Sequence, residues 1–173
     1  MRRVQRRTNL HAGRPGPLDA PKEAPVTIVE YSPEWPSRFA AEAAVIRAAF
    51  AGIEVRIEHV GSTAVPGLAS KPIIDILLGA DSLAAIERRI RSLEASGYRD
   101  VPEFEKQLPQ RRYFVKPDRG DAHFHLHAVE RGGPFWSEQL AFRDALRRDP
   151  GLRDRYVDLK RRLAAAFRTD RAA

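Results

Sequence analysis

The reading of this chain turns on residues 59–76, HVGSTAVPGLASKPIIDI. A histidine, a Gly-Ser-Thr turn, a Pro-Gly turn, a lysine and one aspartate lie between two apolar stretches. Before it, Ile53, Val55 and Ile57 alternate with Glu54, Arg56 and Glu58, the pattern of a strand with one wet face. After it, KPIIDILLGA is apolar on both faces, as a central strand buried on both sides would be. Pro72 donates no backbone hydrogen bond, so it belongs at the start of that strand.

The remaining elements follow outward from this pair. VTIVEY, residues 26–31, reads as a short strand, and Ser32-Pro33 as the opening of a helix with Phe39, Ala43, Ile46 and Phe50 inward and Gly52 as its stop. Asp81-Ser82 caps a second helix that ends at Gly97, with Leu83, Ile86, Ile90 and Leu93 inward. RRYFVKPDRGDAHFHLHAVE reads as two strands joined by a loop around residues 117–121. Two helices close the chain, divided at Asp149-Pro150, the second with Leu152, Tyr156, Leu159, Leu163 and Phe167 inward. The expected class is α+β, a mixed sheet flanked by helices.

The chain has 173 residues, 43% of them hydrophobic, and no cysteine. One ordinary domain fits, while disulfides and thiolate metal sites are excluded. No apolar run has membrane-spanning length and no secretory signal opens the chain, so a cytoplasmic setting is expected. The net charge is +7, but residues 1–24 hold six basic groups against Asp19 and Glu23. That segment, rich in Pro and Gly, is expected to be a disordered basic tail, with the domain spanning 25–168. Such a tail could touch nucleic acid non-specifically, though a solvated tail without a partner is the simpler reading.

Three features suggest chemistry. Gly61 permits close backbone approach, Ser62 and Thr63 offer hydroxyls, and Lys71 adds a positive charge, which together suit a phosphate. Asp75 lies within an apolar strand, where a carboxylate is costly unless paired or bound to a cation. Its alternatives are a site or a structural ion pair with Arg56 or Arg112. In HFHLH, alternation puts His123, His125 and His127 on one strand face, and imidazoles two apart on a strand can share a divalent metal. Arg112, on the strand expected to pair with the histidines, and Arg143 are candidate anion contacts.

Taken together, YSPEWPSRFAAE, IEHVGSTAVPGLASKPIIDILLG, RRYFVK, HFHLHAVE and FWSEQLAFRDALR resemble the GrpB-like family from about Val26 to Phe167. The resemblance implies a nucleotidyltransferase-like fold related to the DNA polymerase beta superfamily. There a Gly-Ser turn grips triphosphate and strand acids hold divalent ions. Gly61 and Ser62 match the turn, and Asp75 the first acid. Leu77 stands where a second acid is usual, and His125 or His127 where a later acid is expected. The leading expectation is metal-dependent nucleotidyl transfer from a nucleoside triphosphate to an unknown acceptor. Asp75 would be catalytic; Asp75, His125 and His127 would hold Mg, Mn or Zn; Gly61, Ser62, Thr63, Lys71, Arg112 and Arg143 would bind phosphate. The alternatives are a catalytically inactive domain that binds a nucleotide or small phosphorylated ligand, and a His/Asp metal-dependent phosphohydrolase.

Overall fold

The computed structural model describes residues 28–117 and 123–166. The proposed tail lies outside them, as does the loop after Pro117.

Helix α1 (Trp35–Ala49) leads into strand β1 (Arg56–Val60). A three-residue 3-10 turn, Ser62–Ala64, and an irregular loop then reach β2 (Ile73–Ala80). Two short helices follow, α2 (Leu83–Glu87) and α3 (Ile90–Ala95), then the two-residue β3 (Arg99–Asp100). The hairpin strands are β4 (Arg111–Pro117) and β5 (His123–Glu130). Helices α4 (Pro134–Arg148) and α5 (Pro150–Ala166) end the described chain.

The strands form one five-stranded sheet in the order β1-β2-β5-β4-β3. β2 and β5 run parallel at its centre, and every other pair is antiparallel. The mixed α+β architecture expected from the sequence is therefore present. So is the central place of IIDILLGA.

Alternation along the strands divides the sheet into two unlike faces. Ile74, Ile76 and Leu78 of β2, Phe114 of β4, and Phe124, Leu126 and Ala128 of β5 point to one side. There they join Ile46, Ile86 and Leu93 of the first three helices, and Phe50 at the end of α1, in the main core. Each of the larger of these side chains contributes about 1.5–3 kcal/mol by leaving water. On the other side Leu77, Val60, Val129 and Trp136 form a smaller cluster beneath α4. Gly79 is required there, because a Cβ at that position would lie 2.7 Å from the Trp136 ring. Val65 and Leu68 of the loop pack with Leu146, Leu152, Tyr156 and Val157, which seats α5 beside the Gly-Ser turn.

Several local expectations need correction. VTIVEY forms no strand among the described residues. Val29 makes only an isolated bridge with Ser70, through two backbone hydrogen bonds of 2.9 Å. Ser32 caps a turn, accepting from the Glu34 backbone N–H at 3.3 Å, and α1 starts only at Trp35. The strand read from Ile53 begins at Arg56. The helix read between Ser82 and Gly97 is two helices, although Ser82 does cap the first by accepting from Ala85 N–H. On α5, Leu159 and Leu163 are exposed rather than inward, while Phe167 lies outside the described residues.

Candidate functional site

The site is built where β1 turns into the loop, on the sheet's polar face beside the first residues of β2 and β5. Val60 pairs with Asp75, and Asp75 is in register with His125 on the parallel strand β5. The turn therefore begins directly above the aspartate. Gly61 has φ +70°, and a Cβ there would collide with Asp75 Oδ2. Only glycine satisfies both the backbone conformation and this approach.

Thr63 belongs to the support of the turn, not to its open surface. It is 1% exposed, and its hydroxyl donates to the Ile73 carbonyl at 3.0 Å. With that proton committed, Oγ1 accepts from His59 Nε2 at 3.1 Å. The His59 ring is buried and stacked on Phe39, with centroids 4.7 Å apart. Burial pushes His59 down to about 4, with Asp75 opposing the shift and Arg147 and Arg143 adding to it. This neutral chain of contacts fixes the turn to the start of β2, so the expected phosphate contact at Thr63 is replaced by a buttress. Arg147 of α4 adds a second support, donating to the Ala64 carbonyl at 2.9 Å.

Ser62 keeps an open role. Its hydroxyl accepts from Lys160 Nζ at 2.9 Å, and the same ammonium lies 3.4 Å from the Ala69 carbonyl. Burial is the largest influence on Lys160 and pushes it down to about 8; Asp75 draws it up and Lys71 pushes it further down. Lys160 thus lies within electrostatic reach of both Asp75 and Lys71. By composition the LKRR run, residues 159–162, reads as an exposed helix face. The available signal was helical spacing, since Lys160 follows Tyr156 by four residues and Leu152 by eight on the inward side of α5. The 3-10 turn itself is one turn long, so the positive field comes from these side chains rather than from a helix end.

His125 and His127 share the face of Asp75, as alternation required. His125 Nδ1 lies 3.6 Å and His127 Nε2 3.5 Å from the same oxygen, Asp75 Oδ1. Burial pushes His125 down to about 4; Asp75 opposes this, and His127, His123 and Lys71 add to it. His125 is therefore neutral at physiological pH. Tyr113 of β4 packs against both imidazoles, with centroids 5.6 and 5.1 Å away. Burial, and secondarily Asp75, raises its hydroxyl well above the usual phenol range. His123, nearer the loop, has a buried Nδ1 without a hydrogen-bond partner.

The two arginines expected at the site are engaged elsewhere. Arg112 points to the helix-covered face, where it donates to Glu87 Oε1 at 2.7 and 3.0 Å and to the Pro109 carbonyl. Tyr113 pairs with His127, so it is Arg111, one residue earlier, that shares the histidine face. Its NH1 lies 3.0 Å from His127 Nδ1, and its guanidinium stacks over Tyr113 and Phe135. Arg143 is 9% exposed and ties α4 to β1, through Glu58 at 2.8 Å and the His59 carbonyl at 3.1 Å, with Asp144 at 2.8 Å on its Nε. Neither Arg56 nor Arg112 pairs with Asp75.

The fit of a divalent ion can be tested on this geometry. Bonds of about 2.1 Å place tetrahedral ligand atoms about 3.4 Å apart, close to the two separations from Asp75 Oδ1. Yet among the described residues no three His, Asp or Glu side chains are arranged to hold one ion. The nearby lysines also oppose a free cation. The residues present fit an anion better than a metal.

The family model for GrpB protein matches residues 25–173. This chain belongs to the GrpB family. It is 40% identical over 144 residues to a UPF0157 protein of Halalkalibacterium halodurans, covering 83% of this chain and 72% of that one. Over 140 residues it is 36% identical to a UPF0157 protein of Bacillus subtilis, covering 81% of this chain but only 40% of the longer relative. The crystal structure of conserved protein GrpB from Enterococcus faecalis has a similar fold, with a TM-score of 0.73 and 32% identity over 82% of this chain and 84% of that one. No helix among the described residues is long and apolar enough to cross a membrane.

Proposed function

We propose that this GrpB protein binds the phosphate groups of a nucleotide or a small phosphorylated ligand on the Gly61-Ser62 turn. The observation that carries this reading is the Lys160 ammonium, partly buried and bonded to Ser62 Oγ at 2.9 Å. Burying a lysine is costly, and among the described residues its hydrogen-bond partners are a hydroxyl and a carbonyl. A phosphate oxygen that displaced the serine contact would give Lys160 a full counter-charge, and Lys71 would supply a second. Gly61 leaves room for the ligand to approach the backbone. Asp75, paired with the two imidazoles, lies within electrostatic reach of Lys160 on the sheet face beneath the turn.

Nucleotidyl transfer, implied by the resemblance of the turn and Asp75 to nucleotidyltransferases, is the second reading. The approach of both imidazoles to one carboxylate oxygen favours it. Leu77 in place of an acid, and the lack of a three-donor set among the described residues, weigh against it, so binding without transfer is the stronger expectation. The test is a thermal-shift screen with inorganic tripolyphosphate and nucleoside triphosphates, run beside a pyrophosphate-release assay with Mg and Mn. Stabilisation that rises with ligand concentration, without pyrophosphate release, is the expected result. Release by wild type that is lost in Asp75→Asn would establish the transferase reading. No shift with any phosphate would remove both.

A further inference from the structure

We propose that Arg111 is a positioning residue that fixes the tautomer of His127 and thereby withholds that imidazole from a metal ion. A guanidinium carries only donors and stays protonated. Its NH1 lies 3.0 Å from His127 Nδ1, so Nδ1 must be the accepting nitrogen. In a neutral imidazole the proton then resides on Nε2. That is the nitrogen facing Asp75 Oδ1 at 3.5 Å. His127 therefore presents an N–H to the aspartate, where a metal would need a lone pair.

Usually the outer nitrogen of a metal-bound histidine donates to a carboxylate or carbonyl, which exposes the inner lone pair. Here the outer partner is a cation and the polarity of the ring is reversed. The cation is held firmly in this role. Arg111 lies over the Tyr113 ring at 4.9 Å and the Phe135 ring at 5.7 Å, and it makes no ion pair among the described residues. Its Nε is buried without a hydrogen-bond partner. Aromatic stacking and the one bond to His127 thus orient it. The two residues on either side have opposite fates. Arg112 is consumed by Glu87, while Arg111 sets the hydrogen-bond direction of the line Arg111 to His127 to Asp75. This explains why donors spaced close to tetrahedral edges do not make an ion site.

The test uses the full chain with nitrogen-15 histidine. Long-range proton–nitrogen spectra at neutral pH distinguish a bare from a protonated ring nitrogen, with His127→Gln assigning the signals. Wild type and Arg111→Lys, which keeps a donor-only cation, should show His127 protonated at Nε2. Arg111→Met, similar in length and able to pack on the two rings, should shift His127 toward the Nδ1-protonated form. Cobalt binding followed by visible absorbance should then be at least about tenfold tighter in Arg111→Met than in wild type, the scale on which outer partners tune metal sites. The gain should vanish in the double variant with Asp75→Asn. A wild-type His127 protonated at Nδ1, or a tautomer unmoved by Arg111→Met, would overturn the proposal. So would equal cobalt affinity in wild type and Arg111→Met.

Discussion

The two faces of the central strands differ by one residue in phase and by everything in chemistry. Ile74, Ile76, Phe114, Phe124 and Leu126 are at most 4% exposed under helices α1 to α3. Asp75, His125, His127, Tyr113 and Arg111 lie on the other side of the same three strands. The first face supplies the apolar burial that holds the sheet. The second is free to keep half-buried polar groups that would be costly in a core. Stability and binding are thereby assigned to opposite sides of one sheet, and substitutions should separate them.

The largest effect should come from the apolar face. Phe114→Ala should lower unfolding free energy by about 3–5 kcal/mol in urea titrations, because a large cavity opens in a fully buried position. A loss below about 1 kcal/mol would mean that this face is not the main core. Next comes Arg143, which belongs to the polar side yet serves structure. Arg143→Met removes the bonds to the partly exposed Glu58 and to the His59 carbonyl, and should cost about 1–3 kcal/mol. Phosphate affinity measured on the remaining folded protein should be unchanged. Selective loss of phosphate binding without loss of stability would instead make Arg143 a ligand residue.

Acid sharpens the same contrast. His59 and His125 are held near 4 by burial, below their ordinary 6.5. Between those values the unfolded chain binds more protons than the folded one. Stability should therefore fall as pH drops from about 6.5 toward 4, by a few kcal/mol. Equilibrium unfolding across that range checks it, and His59→Gln with His125→Gln should flatten the slope. A smaller effect is expected at the turn. Gly61→Ala places a Cβ against Asp75 at φ +70° and should cost about 2 kcal/mol while abolishing phosphate binding.

Much of this division was legible in the chain. The alternation of HFHLH with its imidazoles on one face, and the single aspartate inside IIDILLGA, fixed which residues would meet once the two strands became neighbours. The parallel register that sets Asp75 beside His125 is a long-range pairing, and no local pattern encodes it. The same ignorance of register exchanged Arg111 for Arg112, since a one-residue slip moves a side chain to the opposite face. Thr63 was misjudged for another reason. A hydroxyl in a turn looks available until its partners, His59 and the Ile73 carbonyl, are known. Lys160 was missed because its contact with Ser62 spans ninety-eight positions, and a lysine in a basic run resembles a solvated one. VTIVEY had the composition of a strand, but among the described residues Val29 pairs only with Ser70.

The phosphate cradle at Ser62 and Lys160 is tested most directly by calorimetric titration of inorganic tripolyphosphate into wild type, Lys160→Met and Lys116→Met. Lys116 is the matched control, a lysine engaged by Glu42 at 2.8 Å on the opposite face. The expected result is measurable binding to wild type and Lys116→Met, with affinity at least about tenfold weaker in Lys160→Met, the loss of one charge-assisted hydrogen bond. Equal affinity in all three proteins, or no binding by any, would contradict it.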